Sequence, residues 1–217
     1  MSRLRKLSAR AVTTGAAVGA AIVLTAGTAM AATVTYKVGD PTTNPPTGVT
    51  YLCTFPGIQP QPVVVTAQLD APDSIPSGGT ATPSNVGGTA TITGAVHSLL
   101  TAVGYDGIRG TASVPVTLAN GTLSQPAATG LEVPEKIYPA DGKPITVVIS
   151  QVATSSIPTA TAGSPGTATL SLGQQLTAQL QFHRGSTNTW TSYNMTCNLK
   201  ATTPPQNTAF TPSITIT

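Results

Sequence analysis

The sequence predicts an all-β protein: an Ig-like β-sandwich with Greek-key-like connections, one short helix and one disulfide. Three observations carry this. Charged residues make up 8% of the chain, against about 25% in an average globular domain, while 21 Gly and 19 Pro punctuate it often. Many short segments alternate apolar and polar residues with period two, the pattern of half-buried strands. The only two cysteines lie on two such segments far apart in the chain, Val49–Phe55 and Trp190–Leu199.

On the first segment Val49, Tyr51, Cys53 and Phe55 share a face. On the second, Tyr193, Met195, Cys197 and Leu199 do. Both cysteines therefore sit on apolar faces, where two sheets would meet. This predicts a Cys53–Cys197 disulfide closing nearly the whole mature chain. The chain-entropy model gives so long a loop about 5 kcal/mol, an upper figure because native strain subtracts from it.

In chain order, residues 1–31 read as a secretory signal peptide. Arg3, Arg5, Lys6 and Arg10 precede an apolar run from Ala16 to Leu24, and Ala29-Met30-Ala31 forms an A-x-A cleavage site before Ala32. The run is short for a spanning helix, which needs ~20 apolar residues. The expected product is secreted, extracellular or associated with the cell wall, with no membrane anchor after cleavage and in a compartment where disulfides persist. Without the leader, six bases face seven acids. No basic patch remains, which excludes nucleic acid as a partner.

Residues 32–200 are expected to hold the sandwich, with two small packed sandwiches as the alternative, and 201–217 to form a C-terminal tail in which 213–217 can pair as a strand. Strands are read at 33–38, 49–55, 63–69, 89–93, 110–118, 145–152, 167–172, 174–183 and 190–199. Segments 70–88, 122–144 and 153–166 read as connections. Pro115 inside a strand implies an edge or a bulge, and Asn120-Gly121 is a turn. Val147, Val148 and Ile149, consecutive and apolar, read as buried on both faces. Residues 95–104 break the alternation. There Val96, Leu99, Leu100 and Val103 recur at helical spacing before Gly104, a suitable C-cap.

Several stretches together resemble a family of secreted actinobacterial proteins of unknown function. They are Tyr51-x-Cys53, Gln61-Pro62-Val63-Val64-Val65, the Pro72–Gly79 turn, the run Leu99–Ala112 and the closing Cys197. The resemblance spans about Thr50 to Lys200. It implies an extracytoplasmic β-sandwich and supplies no activity or catalytic residue.

The residues point the same way. Nucleophilic catalysis needs Ser or Cys beside a His and an orienting acid. Both cysteines are assigned to the disulfide, no G-x-S-x-G or S-x-x-K occurs, and His97 and His183 read as polar surface or rim residues. No catalytic residue, cofactor or metal ligand is assigned. Asp70/Asp73 and Glu132/Glu135 carry oxygen ligands suited to calcium but lack a repeated D-x-D pattern, and read as solvated loop charge. The binding candidate is Trp190. Its parity places it opposite the buried face, beside Arg184 and Asn188 of the preceding loop. A flat apolar ring among polar neighbours suits a sugar or a protein hot spot. The expected function is a non-enzymatic, secreted or envelope-associated binding or structural module whose partner is a protein or a cell-wall polymer. The alternative is an extracellular enzyme inhibitor or a protein acting on cell-wall polysaccharide.

Overall fold

The computed structural model describes residues 31–43 and 46–217. The leader expectation falls on residues 1–30 and lies outside the described residues. Residues 31–217 form one compact unit. Its strands are β1 Thr33–Val38, β2 Val49–Phe55, β3 Ile58–Pro72, β4 Ser74–Ile75, β5 Thr80–Ala81, β6 Ser84–Ile92, β7 Gly107–Ala119, β8 Gly121–Leu123, β9 Ala127–Ile137, β10 Ile145–Ser150, β11 Ala160–Ala162, β12 Gly166–Leu172, β13 Gln175–Arg184, β14 Thr189–Leu199 and β15 Ile214–Ile216. The helix α1 spans Gly94–Ala102.

The protein is all-β, but the expected pair of open sheets is corrected. The strand path runs β13-β14-β2-β3-β6-β10-β9-β7, and β7 pairs back to β13. Eight antiparallel strands thus close into a barrel. The closing pair joins 107–113 to 177–183. Period-two alternation says which face of a strand is buried, not which strand lies beside it, so closure was not legible from the pattern. Closure also removes the free edges that a sandwich must protect.

The disulfide is present, Cys53 to Cys197, but its setting differs from the expectation. The cysteines are register partners on neighbouring strands β2 and β14. They staple two strands of one sheet rather than two facing sheets.

The helix starts where Thr93 caps it, its hydroxyl accepting from the Val96 amide. It ends at Gly104, whose φ of +90° is the left-handed region glycine tolerates. Val96 and Leu100 are buried and Leu99 is exposed. His97, read as surface, is instead 2% exposed. Its Nδ1 lies 2.9 Å from the Lys143 carbonyl oxygen. A carbonyl only accepts, so the proton sits on Nδ1. The ring also meets Tyr138 edge-on, centroids 5.6 Å apart.

All three expected connections carry strands; segment 153–166 contains β11, which pairs with β5 and β8. Segment 122–144 contains β9, eleven residues long. Its pattern is broken by two extra residues. Ala112 and Val114 pair with Leu131 and Ala128, and Ile108 and Gly110 pair with Lys136 and Val133. Each mismatch is a bulge; Gly130 at the first has a φ of +67°. Segment 70–88 contains β4, β5 and the start of β6. Pro115 stands where β7 changes partner, from β13 through Ser113 to β12 from Val116. Val148 is a further correction, at 56% exposure.

The expected tail is part of the core. Phe210, Ile214 and Ile216 are buried. β15 pairs antiparallel with β12 and parallel with β4. The alternating Ile214 and Ile216 form the strand that 213–217 was expected to allow, whereas Phe210 in the Pro- and Thr-rich stretch before it gives no periodic signal; their burial holds the segment down.

Candidate functional site: an outer rim and an apolar lumen

β7, β13 and β14 lie side by side, and their outward residues make the rim. His183 is the register partner of Trp190, and Gln181 is the partner of both Ser192 and Arg109. Trp190 is half-buried. The Arg109 guanidinium stands 4.1 Å from the indole centroid, a cation–π contact. The His183 ring lies 4.9 Å away, tilted by 49°. Arg109 is itself held: its Nε donates to Gln181 Oε1 at 2.8 Å and its Nη1 to Glu135 Oε2 at 2.9 Å.

His183 faces two oxygens, Asp106 Oδ1 at 2.6 Å from Nδ1 and Asn188 Oδ1 at 3.1 Å from Nε2. Both contacts favour the doubly protonated ring. The Asp106 hydrogen bond first, then the Asn188 bond, raise the His183 pKa above its ordinary 6.5. With both nitrogens engaged, the ring offers no free lone pair to activate a nucleophile. It acts as a brace between the strand and the 185–188 loop.

Of the sequence-read rim residues, the structure gathers Trp190 and, through His183, Asn188. Arg184 turns elsewhere: its Nη2 donates to the Tyr105 hydroxyl at 3.2 Å and its guanidinium lies over the Tyr105 ring at 4.5 Å. Arg109, Asp106, Gln181 and Glu135 complete the cluster and were not read as rim residues. The polar alternation of Gln179, Gln181 and His183 was the available signal. The pairing that brings Arg109 beside them was not available.

The second feature is inside. The interior holds a partly open cavity of about 160 Å³ whose wall is almost wholly apolar. Val65, Ala112, Leu131, Ile145, Leu180 and Met195 line it, drawn from six different strands of the ring. Protein interiors seldom leave voids larger than a water molecule. An apolar void of this order stays dry and takes apolar guests. Eight-stranded barrels either fill their interior with side chains or hold one small ligand.

Of the carboxylates expected in loops, Asp70 lies on β3 and Glu132 and Glu135 on β9, because the segments that hold them are strands. Asp70 accepts from Thr35 and Asn85, and these bonds hold its pKa below the ordinary value. Among the described residues no three His, Cys, Asp or Glu side chains converge as metal ligands, and no helix is long and apolar enough to cross a membrane.

Residues 50–211 match the sequence model of a family described as a family of unknown function (DUF6801). No curated protein matches. A solved chain from Corynebacterium diphtheriae, provisionally named a membrane-anchored protein, aligns at 16% identity and a TM-score of 0.39. The alignment covers 86% of this chain and 38% of that one.

Proposed function

The chain belongs to this family of unknown function, and from its geometry we propose a non-enzymatic, extracytoplasmic binding protein that holds a small apolar molecule in the barrel lumen. The observation that carries the reading is the interior cavity of about 160 Å³ with its apolar wall. Small-molecule sites are concave and mostly apolar, and an apolar void of this order takes apolar guests. The disulfide supports an oxidising compartment, secreted or at the cell envelope. A saturated His183 supports a role without catalysis.

The second reading is contact with a cell-wall polymer or another protein through the Trp190 rim. It is favoured by the half-exposed indole and its Arg109 neighbour.

Two single-residue reporters separate the readings. Met1, Met30 and Met195 are the three methionines, so a chain beginning at Ala32 carries only Met195, on the lumen wall. Trp190 is the only tryptophan, on the outside. The chain labelled at the methionine methyl is titrated with benzene, and then with solubilised wall polymer. Lumen binding shifts the Met195 methyl resonance and leaves Trp190 fluorescence unchanged. A methyl that benzene does not move overturns the lumen reading. A fluorescence change with wall polymer alone supports the rim.

A further inference from the structure

We infer that the guest is a single unbranched alkyl or acyl chain, admitted lengthwise through the seam between β9 and β10; this rests on the lumen reading above. Two independent features of the barrel lead to it.

The first is the shape of the lumen. Its wall on β7 runs from Ile108 to Leu118. Of this stretch Ile108–Pro115 belongs to the ring, roughly 23 Å of strand at ~3.3 Å per residue, or about 18 Å of barrel height at the usual tilt, and the wall continues beyond the ring to Leu118. At one end stand Phe55 and Tyr138, and at the other Phe210 and Ile214. A volume of about 160 Å³ spread over that height is a narrow bore. A narrow apolar bore takes a linear chain.

The second is the seam. β9 and β10 share one register pair, Ser150 with Glu132. Every other neighbouring pair of the ring shares at least three. Continuing the register past Ser150 would set Val148 opposite Pro134. Proline has no N–H to give the ladder. The second bulge of β9 falls between Val133 and Lys136, at the same place. The ladder therefore stops, although five residues of β10 remain.

The side chains along the seam match a passage for hydrocarbon. Val133, Val147 and Ile149 line the lumen. On the outside, Ile137 is 50% and Val148 56% exposed. They are two of the four exposed large hydrophobic residues among those described. An apolar lip outside, an unzipped ladder and an apolar wall inside form a continuous path. Pro134, Glu135 and Lys136 on β9 beside the break are exposed, so its backbone polar groups lie within reach of solvent.

The test is a chain-length series. Saturated fatty acids of increasing length are titrated, below their micelle-forming concentrations, against the Met195-labelled chain beginning at Ala32. Each added methylene that enters the lumen should tighten binding roughly fourfold. The gain should stop once the bore is full. An affinity that does not change with length overturns the chain inference. If benzene still shifts Met195 in that case, the lumen reading stands without it; if neither probe acts, both fall. Vesicles of phosphatidylglycerol form a second arm. A Met195 shift with vesicles identifies the chain as one carried by an intact lipid, and a shift with free acid alone identifies a free fatty acid.

The seam is tested by Pro134→Val, which returns an N–H opposite Val148. Uptake and release should both slow by the same factor, several-fold or more, with affinity unchanged. Unaltered exchange rates in a folded variant would place the way in elsewhere. Should that variant fail to fold, Val148→Arg sets a charge on the outer lip without touching the ladder, and uptake of the longer acids should slow while benzene uptake does not. Equal rates for both probes in that variant overturn the seam as the route.

Discussion

Cys53 and Cys197 are register partners across β2 and β14, their Cα atoms 3.9 Å apart, and the bond between them spans 144 positions of sequence. β14–β2 has the second-shortest register in the ring, three pairs; only the β9–β10 seam has fewer. The covalent link therefore stands at one of the two thin joints of the barrel. Removing it should cost about 2–5 kcal/mol. The check is denaturant unfolding of Cys53→Ser against the parent, with intact mass before and after reduction showing that the parent carries no free thiol. A secreted parent with two free thiols contradicts the bond, and an unchanged midpoint contradicts its weight.

The His183–Asp106 pair predicts a pH dependence with a definite sign. The folded His183 pKa is raised above 6.5. Its contribution to stability is therefore complete below the unfolded value and is lost as pH rises through the folded value. The groups around the ring are Asp106, Asn188, Trp190 and, by longer-range charge, Glu135. An NMR titration should find the His183 midpoint above 6.5, and Asp106→Asn should bring it down. A His183 midpoint below 6.5 in the parent would reverse the predicted slope.

Trp190→Ala removes an indole held by one cation–π contact and one tilted ring. At an exposed site the cation–π contact is worth about 0.5–1 kcal/mol. The variant should stay folded, with a small loss of thermal stability and the Met195 methyl resonance in place. If the rim reading is right, it loses binding to a wall fraction. Global unfolding would make Trp190 a core residue.

Ala128 lies on the lumen wall and is 4% exposed. Ala128→Leu adds three carbons toward the void. Filling empty space should keep stability or raise it by about 0.5–2 kcal/mol, while abolishing the benzene response at Met195. A loss of about 1–3 kcal/mol is the signature of overpacking and would show that the wall at that height is already filled.

The sequence by itself determined the strands whose alternation is unbroken. Val49–Phe55 and the paired segments around 175–199 were legible to within a residue or so, because each inward residue is apolar and each turn is marked by Gly, Pro or Asn. The helix was legible because a change of period is as visible as the period itself. The disulfide followed because two cysteines alone, both on buried faces, have one partner each. Trp190 could be assigned to the outer face by the same parity.

Tertiary structure alone decided the rest. β9 was hidden because two bulges, at Gly130 and beside Pro134, shift its inward residues out of phase. His97 looked like surface because its partner, the Lys143 carbonyl, lies 46 positions away. Val148 looked buried because three consecutive apolar residues suggest layers on both faces of the strand, whereas in the barrel Val147 and Ile149 line the lumen and Val148 between them faces outward. The Trp190 cluster needed Arg109, which arrives only when β7 pairs with β13. That same pairing turns a row of strands into a barrel and forms the lumen. The reason is common to all of these. Side-chain periodicity records which face of a segment meets the core, a local property, whereas edge pairing, closure and interior volume depend on which distant segments become neighbours.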